Sequence, residues 1–326
     1  MRNHHCHPDL KRREGEESRD SSPAAQNDIW KAPQKEEMFL PPRVFAGLMP
    51  PHADLENAKV AILPVPYDGT TEWRSGAREG PQHIIDASQY LELYDLELDQ
   101  EIYKVGIHTL HQVEPLMSSP EAMIDRVYDI TNGLIQKGKF VVTLGGEHSL
   151  TLGAVRAFKE AFPELSVLQL DAHADLRDEY LGTKYGQACV MRRIFELCPI
   201  VQAGVRSLSW EEKQFLVQNH LSPFYFSDSI SSKASVERIM NSLSPEVYVT
   251  IDVDVLDPSI MPAVGTPEPN GMQWQAILDI IKAVSLHKHV VGFDLMEFCP
   301  GEGPLACAFL LAKLAYKFIG YAVPIE

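Results

Sequence analysis

No stretch of this 326-residue chain approaches the roughly 20 consecutive apolar residues that cross a bilayer, so no membrane association is expected. The opening residues lack the apolar core of a secretory signal, and a cytoplasmic location is expected. Cysteine is scarce. The five residues, Cys6, Cys189, Cys198, Cys299 and Cys307, are odd in number and show no CxxC spacing. That pattern fits reduced, mostly buried thiols and excludes a disulfide framework. Basic residues are outnumbered, 29 Lys and Arg against 45 Asp and Glu, for a formal net charge of −16. A nucleic-acid partner, whose phosphates need a basic surface, is excluded on that ground. The same charge mildly favours encounter with cationic solutes. There is no internal repeat, and no Pro/Gly-rich linker after residue 41.

Residues 1–40 are rich in Arg, Glu, Ser, Asp and Gln and poor in apolar residues, and are expected to form a disordered extension. Its His4, His5, Cys6 and His7 read as an incidental tract rather than a metal site. The remainder, residues 41–326, reads as one domain. Apolar strand-like runs occur at 59–65, 139–145, 165–171, 247–253 and 289–295. Helical patterns occur at 122–137, 151–162, 272–284 and 305–320. Short continuous apolar strands alternating with amphipathic helices imply an α/β fold of three layers, a central parallel sheet flanked by helices.

Three segments follow directly on such strands: GGEHS (145–149), DAHAD (171–175) and DVDVLDPS (252–259). Open parallel sheets bind ligands at the carboxyl ends of their strands. In GGEHS two glycines allow a tight turn that sets His148 at a helix start. Residues two apart on an extended segment point the same way, so Asp171, His173 and Asp175 can converge, as can Asp252 and Asp254. Each segment alone has an ordinary explanation: a strand-to-helix turn, a solvated strand end, an Asx-rich turn before Pro258. Together they bring two imidazoles and four carboxylates to one sheet edge. Four uncompensated carboxylates would repel and raise one another's pKa, and a pair of divalent cations removes that problem. Mixed carboxylate and imidazole ligands suit manganese, and less selectively iron, nickel or zinc.

In order and in context, these segments resemble the signature segments of the ureohydrolase family, which holds arginases, agmatinases and related amidinohydrolases. The resemblance runs over about residues 58–320, takes in YDGTTEWRSGAREGP (67–81) and GFDLMEFCP (292–300), and in detail is most similar to bacterial agmatinases. It implies the arginase/deacetylase-like fold, two divalent metal ions (manganese foremost) and a homotrimer or homohexamer. By motif position, one metal would take His148, Asp171, Asp175 and Asp252, and the other His173, Asp171, Asp252 and Asp254. The resemblance further implies that water activated by the metals attacks a guanidinium carbon, with Asp254 handling the proton and Glu297 holding the guanidinium. The implied substrate is a small cationic guanidino compound, agmatine foremost, giving urea and putrescine in polyamine biosynthesis.

The chain departs from the family at one catalytic position. A histidine is usual about a dozen residues after DxHxD, and here Gln187 stands there in YGQACVMRR. Glutamine hydrogen-bonds but does not titrate near neutral pH. Either another group or bulk water moves the proton, or the substrate differs from the usual one. The stretch 176–186 also lacks the Asn and Ser residues with which arginases grip an amino acid. Asp178 and Glu179 in that stretch are candidate partners for a distal ammonium. Arg177, Lys184 or Arg74 would anchor a carboxylate, as formiminoglutamate requires, and Glu147 and Tyr185 are placed near the pocket without a role. Guanidinobutyrate and aminopropylagmatine are further substrate candidates. A metal-binding but catalytically weak protein is the alternative from another class, and six retained ligands speak against it.

Overall fold

Each apolar run becomes a strand buried on both faces, because alternate residues face two different helical layers. In β1 (Val60–Val65), Val60 and Ile62 join one core while Ala61, Leu63 and Val65 join the other. The computed structural model describes residues 43–227 and 229–325, which lie in one compact unit. The expected N-terminal extension, with Cys6, lies outside the described residues.

After β1 come α1 (Gly80–Ser88), the two-residue strands β2 (Tyr94–Asp95) and β3 (Gln100–Glu101), and the edge strand β4 (Ile107–Thr109). Then follow α2 (Pro120–Gln136), β5 (Phe140–Gly145), α3 (Thr151–Ala161), β6 (Ser166–Leu170), α4 (Val190–Phe195) and β7 (Ile200–Ala203). The chain continues through α5 (Trp210–Gln218), α6 (Lys233–Ser242), β8 (Glu246–Asp252), α7 (Trp274–His287), β9 (His289–Met296) and α8 (Ala306–Ala322). Seven strands form one sheet in the order β4-β1-β5-β9-β8-β6-β7, and every pairing in it is parallel. β2 and β3 make a separate antiparallel pair. Residues of α1, α6, α7 and α8 fill one core, and residues of α2, α3, α4 and α5 the other. The three layers read from the alternation of strands and helices are the layers observed.

Helix starts follow local chemistry. Ser119 caps α2 by accepting from the Ala122 N–H, and Pro120 supplies a preset φ at the first position. Ser209 and Glu212 close a capping box on α5. No helix among the described residues is long and apolar enough to cross a membrane. β5, β9, β8 and β6 are neighbours in the sheet, so the loops leaving their carboxyl ends meet at one edge.

Candidate metal centre and active site

The GGEHS segment leaves β5 and passes through a 3-10 turn at His148–Leu150 into α3. Its glycines serve close packing. Neither has a positive φ, but a Cβ on Gly146 would run into the Tyr67 carbonyl oxygen and one on Gly145 into the Met296 sulfur. The chain bends at Gly146 and Glu147 and sets His148 at the start of the 3-10 turn, as expected. Asp175 (φ 53°) and Glu297 (φ 66°) hold left-handed backbone, which costs a non-glycine residue about 1–3 kcal/mol and tends to gather at functional sites. Asp175 therefore reaches its neighbours through a turn, not through the two-residue alternation expected of DAHAD. Asp254 likewise sits in a 3-10 turn, Val253–Val255, after Asp252 ends β8.

All six candidate ligands come together. His148 Nδ1 lies 3.1 Å from Asp175 Oδ2, 3.2 Å from Asp171 Oδ2 and 3.4 Å from Asp252 Oδ2. His173 Nδ1 lies 2.8 Å from Asp254 Oδ2 and 3.8 Å from Asp171 Oδ1. Two groups have donor atoms close enough to share an ion: His148, Asp171 and Asp175, and Asp171, His173 and Asp254. Asp171 belongs to both, the position of a bridge. Asp252, the second expected bridge, meets the His148 group, while its Oδ1 accepts the Asp254 N–H at 2.9 Å.

The residues present fit cations. His148 is fully buried, and its Nδ1 has no hydrogen-bond partner among the described residues although three carboxylates surround it. Its Nε2 contacts Thr250 Oγ1 at 2.8 Å, and Thr250 donates its own proton to Asp294 Oδ1 at 2.6 Å. Nε2 must then carry the imidazole proton, which leaves the Nδ1 lone pair aimed at the carboxylates. Lone pair against carboxylate is repulsive unless a proton or a metal ion lies between them. The acid groups show the same shortage of positive charge. Burial, then Asp175 and Asp254, push Asp171 up to about 7, and burial with Asp254 and Asp171 raises Asp252 well above the carboxylate range. Burial alone would lower both histidines. The carboxylates outweigh it, holding His148 well above its usual value and His173 at about 11. Divalent ions bound here would displace these protons and supply the positive charge the carboxylates lack.

Several supporting residues were not anticipated. Gln202 donates to Gln169 Oε1, and Gln169 donates to Asp171 Oδ2, both at 2.5 Å. Asp294 gathers the hydroxyls of Thr151, Thr250 and Tyr248. Glu212, the α5 cap, also accepts the Leu176 N–H at 2.9 Å and ties the DAHAD loop to that helix. Their signal was available: Gln169, Thr250 and Asp294 are polar residues inside otherwise apolar strand runs, and a buried polar group needs a partner.

A cavity of about 230 Å3 opens beside the ligands and is lined by Asp175, Asp252, Glu297, Gln187, Glu72 and Arg177, among others. Glu297 Oε1 accepts the His148 N–H at 2.6 Å, and burial together with nearby Glu147 raises its carboxyl well above the usual range. Asp178 and Glu179, expected to meet a distal ammonium, do not line the cavity; Asp178 pairs with Arg193 at 2.6 Å and with Lys184 at 3.6 Å. Glu72, an acidic residue not anticipated from the sequence, lines the cavity. Of the candidate carboxylate anchors only Arg177 lines the cavity, stacked on Tyr180 at 4.5 Å; Lys184 is held by Asp178, and Arg74 by Glu302 at 2.6 Å. Tyr185 lines a separate surface depression.

Comparison with known proteins agrees with this geometry. Residues 58–320 match the arginase family. The N(1)-aminopropylagmatine ureohydrolase of Synechocystis sp. is 37% identical over 273 residues, covering 81% of this chain and 89% of that protein. The agmatinase of Pyrococcus horikoshii is 34% identical over 274 residues, covering 83% and 94%. The crystal structure of agmatine ureohydrolase of Thermoplasma volcanium superposes with a TM-score of 0.75 at 32% identity, covering 83% of this chain and 93% of that one. The carboxylate-rich centre thus sits in a ureohydrolase scaffold, and the chain belongs to the arginase family, hydrolases that act on linear amidines.

Proposed function

We propose that the protein hydrolyses the guanidino C–N bond of a small cationic guanidine of the agmatine type, releasing urea and an amine. The observation that carries this reading is the acid surplus of the cavity, in which Asp175, Asp252, Glu297, Glu212 and Glu72 face a single arginine. Two divalent cations would balance the four ligand aspartates and leave Glu297 and Glu72 for substrate charge.

His148, Asp171, Asp175 and Asp252 would hold one ion, and His173, Asp171, Asp252 and Asp254 the other; manganese suits the donor set. When bound, the pair supplies a water of lowered pKa and electrostatic stabilisation of the tetrahedral stage. Glu297, fixed at one oxygen by the His148 N–H, offers the other to the guanidinium and orients its carbon. Asp254 takes a proton from the attacking water and passes it to the departing nitrogen. Guanidinium plus water becomes urea plus an alkylammonium, so charge and atoms balance. Glu72, without an ion pair among the described residues, serves the distal ammonium of the substrate, and its carboxylate meets the Tyr180 hydroxyl. A longer polyamine tail, as in aminopropylagmatine, presents the same chemistry. Gln187 in place of a titrating histidine fits a reaction whose proton traffic runs through Asp254 and solvent.

A second reading rests on Arg177, which also lines the cavity without an ion pair among the described residues. It would seat a carboxylate tail, as in guanidinobutyrate. Side-by-side urea release from agmatine, aminopropylagmatine, guanidinobutyrate and arginine separates the two. The first reading requires the ammonium-tailed pair to exceed both carboxylate-bearing compounds by on the order of a hundredfold in kcat/KM, as expected when a charged group is left unsatisfied. Faster turnover of guanidinobutyrate would give the site to the second.

A further inference from the structure

Gln187 opens the 3-10 turn Gln187–Cys189 that leads into α4. Its backbone N–H donates to Thr70 Oγ1 at 3.1 Å. Thr70 is itself bound twice to Glu147, through its N–H at 2.6 Å and its hydroxyl at 2.7 Å. Glu147 is fully buried and also accepts from the Ser149 hydroxyl. The backbone of Gln187 is therefore pinned, through one threonine, to the same β5 loop that presents His148 and receives Glu297. A side chain on a backbone held this way is presented to the cavity in a fixed place.

That side chain lines the cavity, yet its carbonyl Oε1 is buried with no hydrogen-bond partner among the described residues. A buried acceptor without a donor is costly, and beside a binding site a bound ligand is one source of the missing donor. A guanidinium is a plane of N–H donors with no acceptor. Glu297 can take two of those donors, and a neutral carbonyl can take another without adding charge to an already acidic site. An ammonium has no such planar set of donors, and a carboxylate suffices for it.

We infer that the Gln187 amide is a substrate contact, its Oε1 accepting an N–H of the guanidinium that Glu297 pairs with. The inference rests on the guanidine-hydrolase reading above and adds to it the residue by which the site distinguishes a guanidine from an amine.

The test uses full-length, manganese-loaded wild type, Gln187→Ala and Gln187→Glu, with bound metal counted on each. The readings are KM and kcat for agmatine and the inhibition constant of 1,4-diaminobutane, which has the same stem and no guanidinium. In the alanine variant the KM for agmatine should rise roughly tenfold to a hundredfold, the worth of one hydrogen bond to a charged group, and the loss should fall on KM more than on kcat. The inhibition constant of 1,4-diaminobutane should stay close to that of wild type, and the glutamate variant, which keeps an acceptor of the same shape, should restore most of the agmatine affinity. An unchanged KM in the alanine variant would overturn the inference alone. So would an equal loss of diamine and agmatine affinity, or a metal-loaded glutamate variant as impaired as the alanine one. A wild type that releases no urea from any guanidine would take the functional reading down and this inference with it.

Discussion

His148 Nε2 donates to Thr250 Oγ1 at 2.8 Å, and this contact determines which face of the imidazole meets the acid cluster. Thr250 has one proton and gives it to Asp294, so the histidine is held as the tautomer whose Nδ1 is free to ligate. Thr250→Val keeps the size of the side chain and removes that hold. Such supporting partners are worth on the order of tenfold to a hundredfold in metal affinity. Manganese titrated calorimetrically into metal-stripped protein should bind the valine variant weaker by about that factor, and equal affinities would show that Thr250 does not orient the ligand.

The two ligand groups share Asp171 and divide His148 from His173. Asp171→Asn should therefore reduce bound metal at both positions, whereas Asp254→Asn should reduce it chiefly at the His173 position and leave about one ion in place, as two metals on shared ligands require. Elemental analysis of the dialysed proteins distinguishes these results. Retention of full metal by the Asp171 variant would break the assignment of the bridge.

A pH effect on stability is expected far from the centre. Lys282 and then Lys317 hydrogen-bond Glu97 and pull its carboxyl from 4.5 down to about 2, with Lys317 rising from α8. The folded value lies below the unfolded one. The stabilisation is present in full above about pH 4.5 and is lost as pH falls through about 2. Urea denaturation of wild type and Glu97→Gln should show a gap at pH 6 that narrows below about pH 4.5 and closes only at about pH 2. Glu97 and Lys282 are partly solvent-exposed while Lys317 is buried, so the gap should be modest and its Lys282 share should shrink with salt. A gap that widened on acidification would reverse the sign of this account.

The strands and long helices were legible because their chemistry is local. Runs such as 139–145 and 247–253 are too apolar for anything but a strand covered on both faces, and β5 and β8 start and stop within one residue of the expected bounds. β4 has three residues and β7 four, too short to show a period, and α5 carries its apolar residues irregularly. The residue types of the centre were legible for the same reason, since DxHxD and DVD sit at strand ends. Its geometry was less so. The convergence of Asp175 depends on a left-handed turn that no spacing rule contains, and the glycines of GGEHS answer to Tyr67 and Met296, distant in sequence. Asp178 looked available to substrate because sequence does not reveal that Arg193, fifteen residues on, claims it.

The central claim is that a metal-loaded cluster of His148, His173 and four aspartates cleaves a guanidine. Its most direct test is product analysis of agmatine incubated with the full-length protein, once stripped of metal and once reconstituted with manganese. The account predicts urea and 1,4-diaminobutane in equal amounts from the reconstituted protein and neither from the stripped one. Urea formation that persists without metal, or a folded, metal-loaded protein that releases no urea from agmatine or any other linear guanidine, would contradict it.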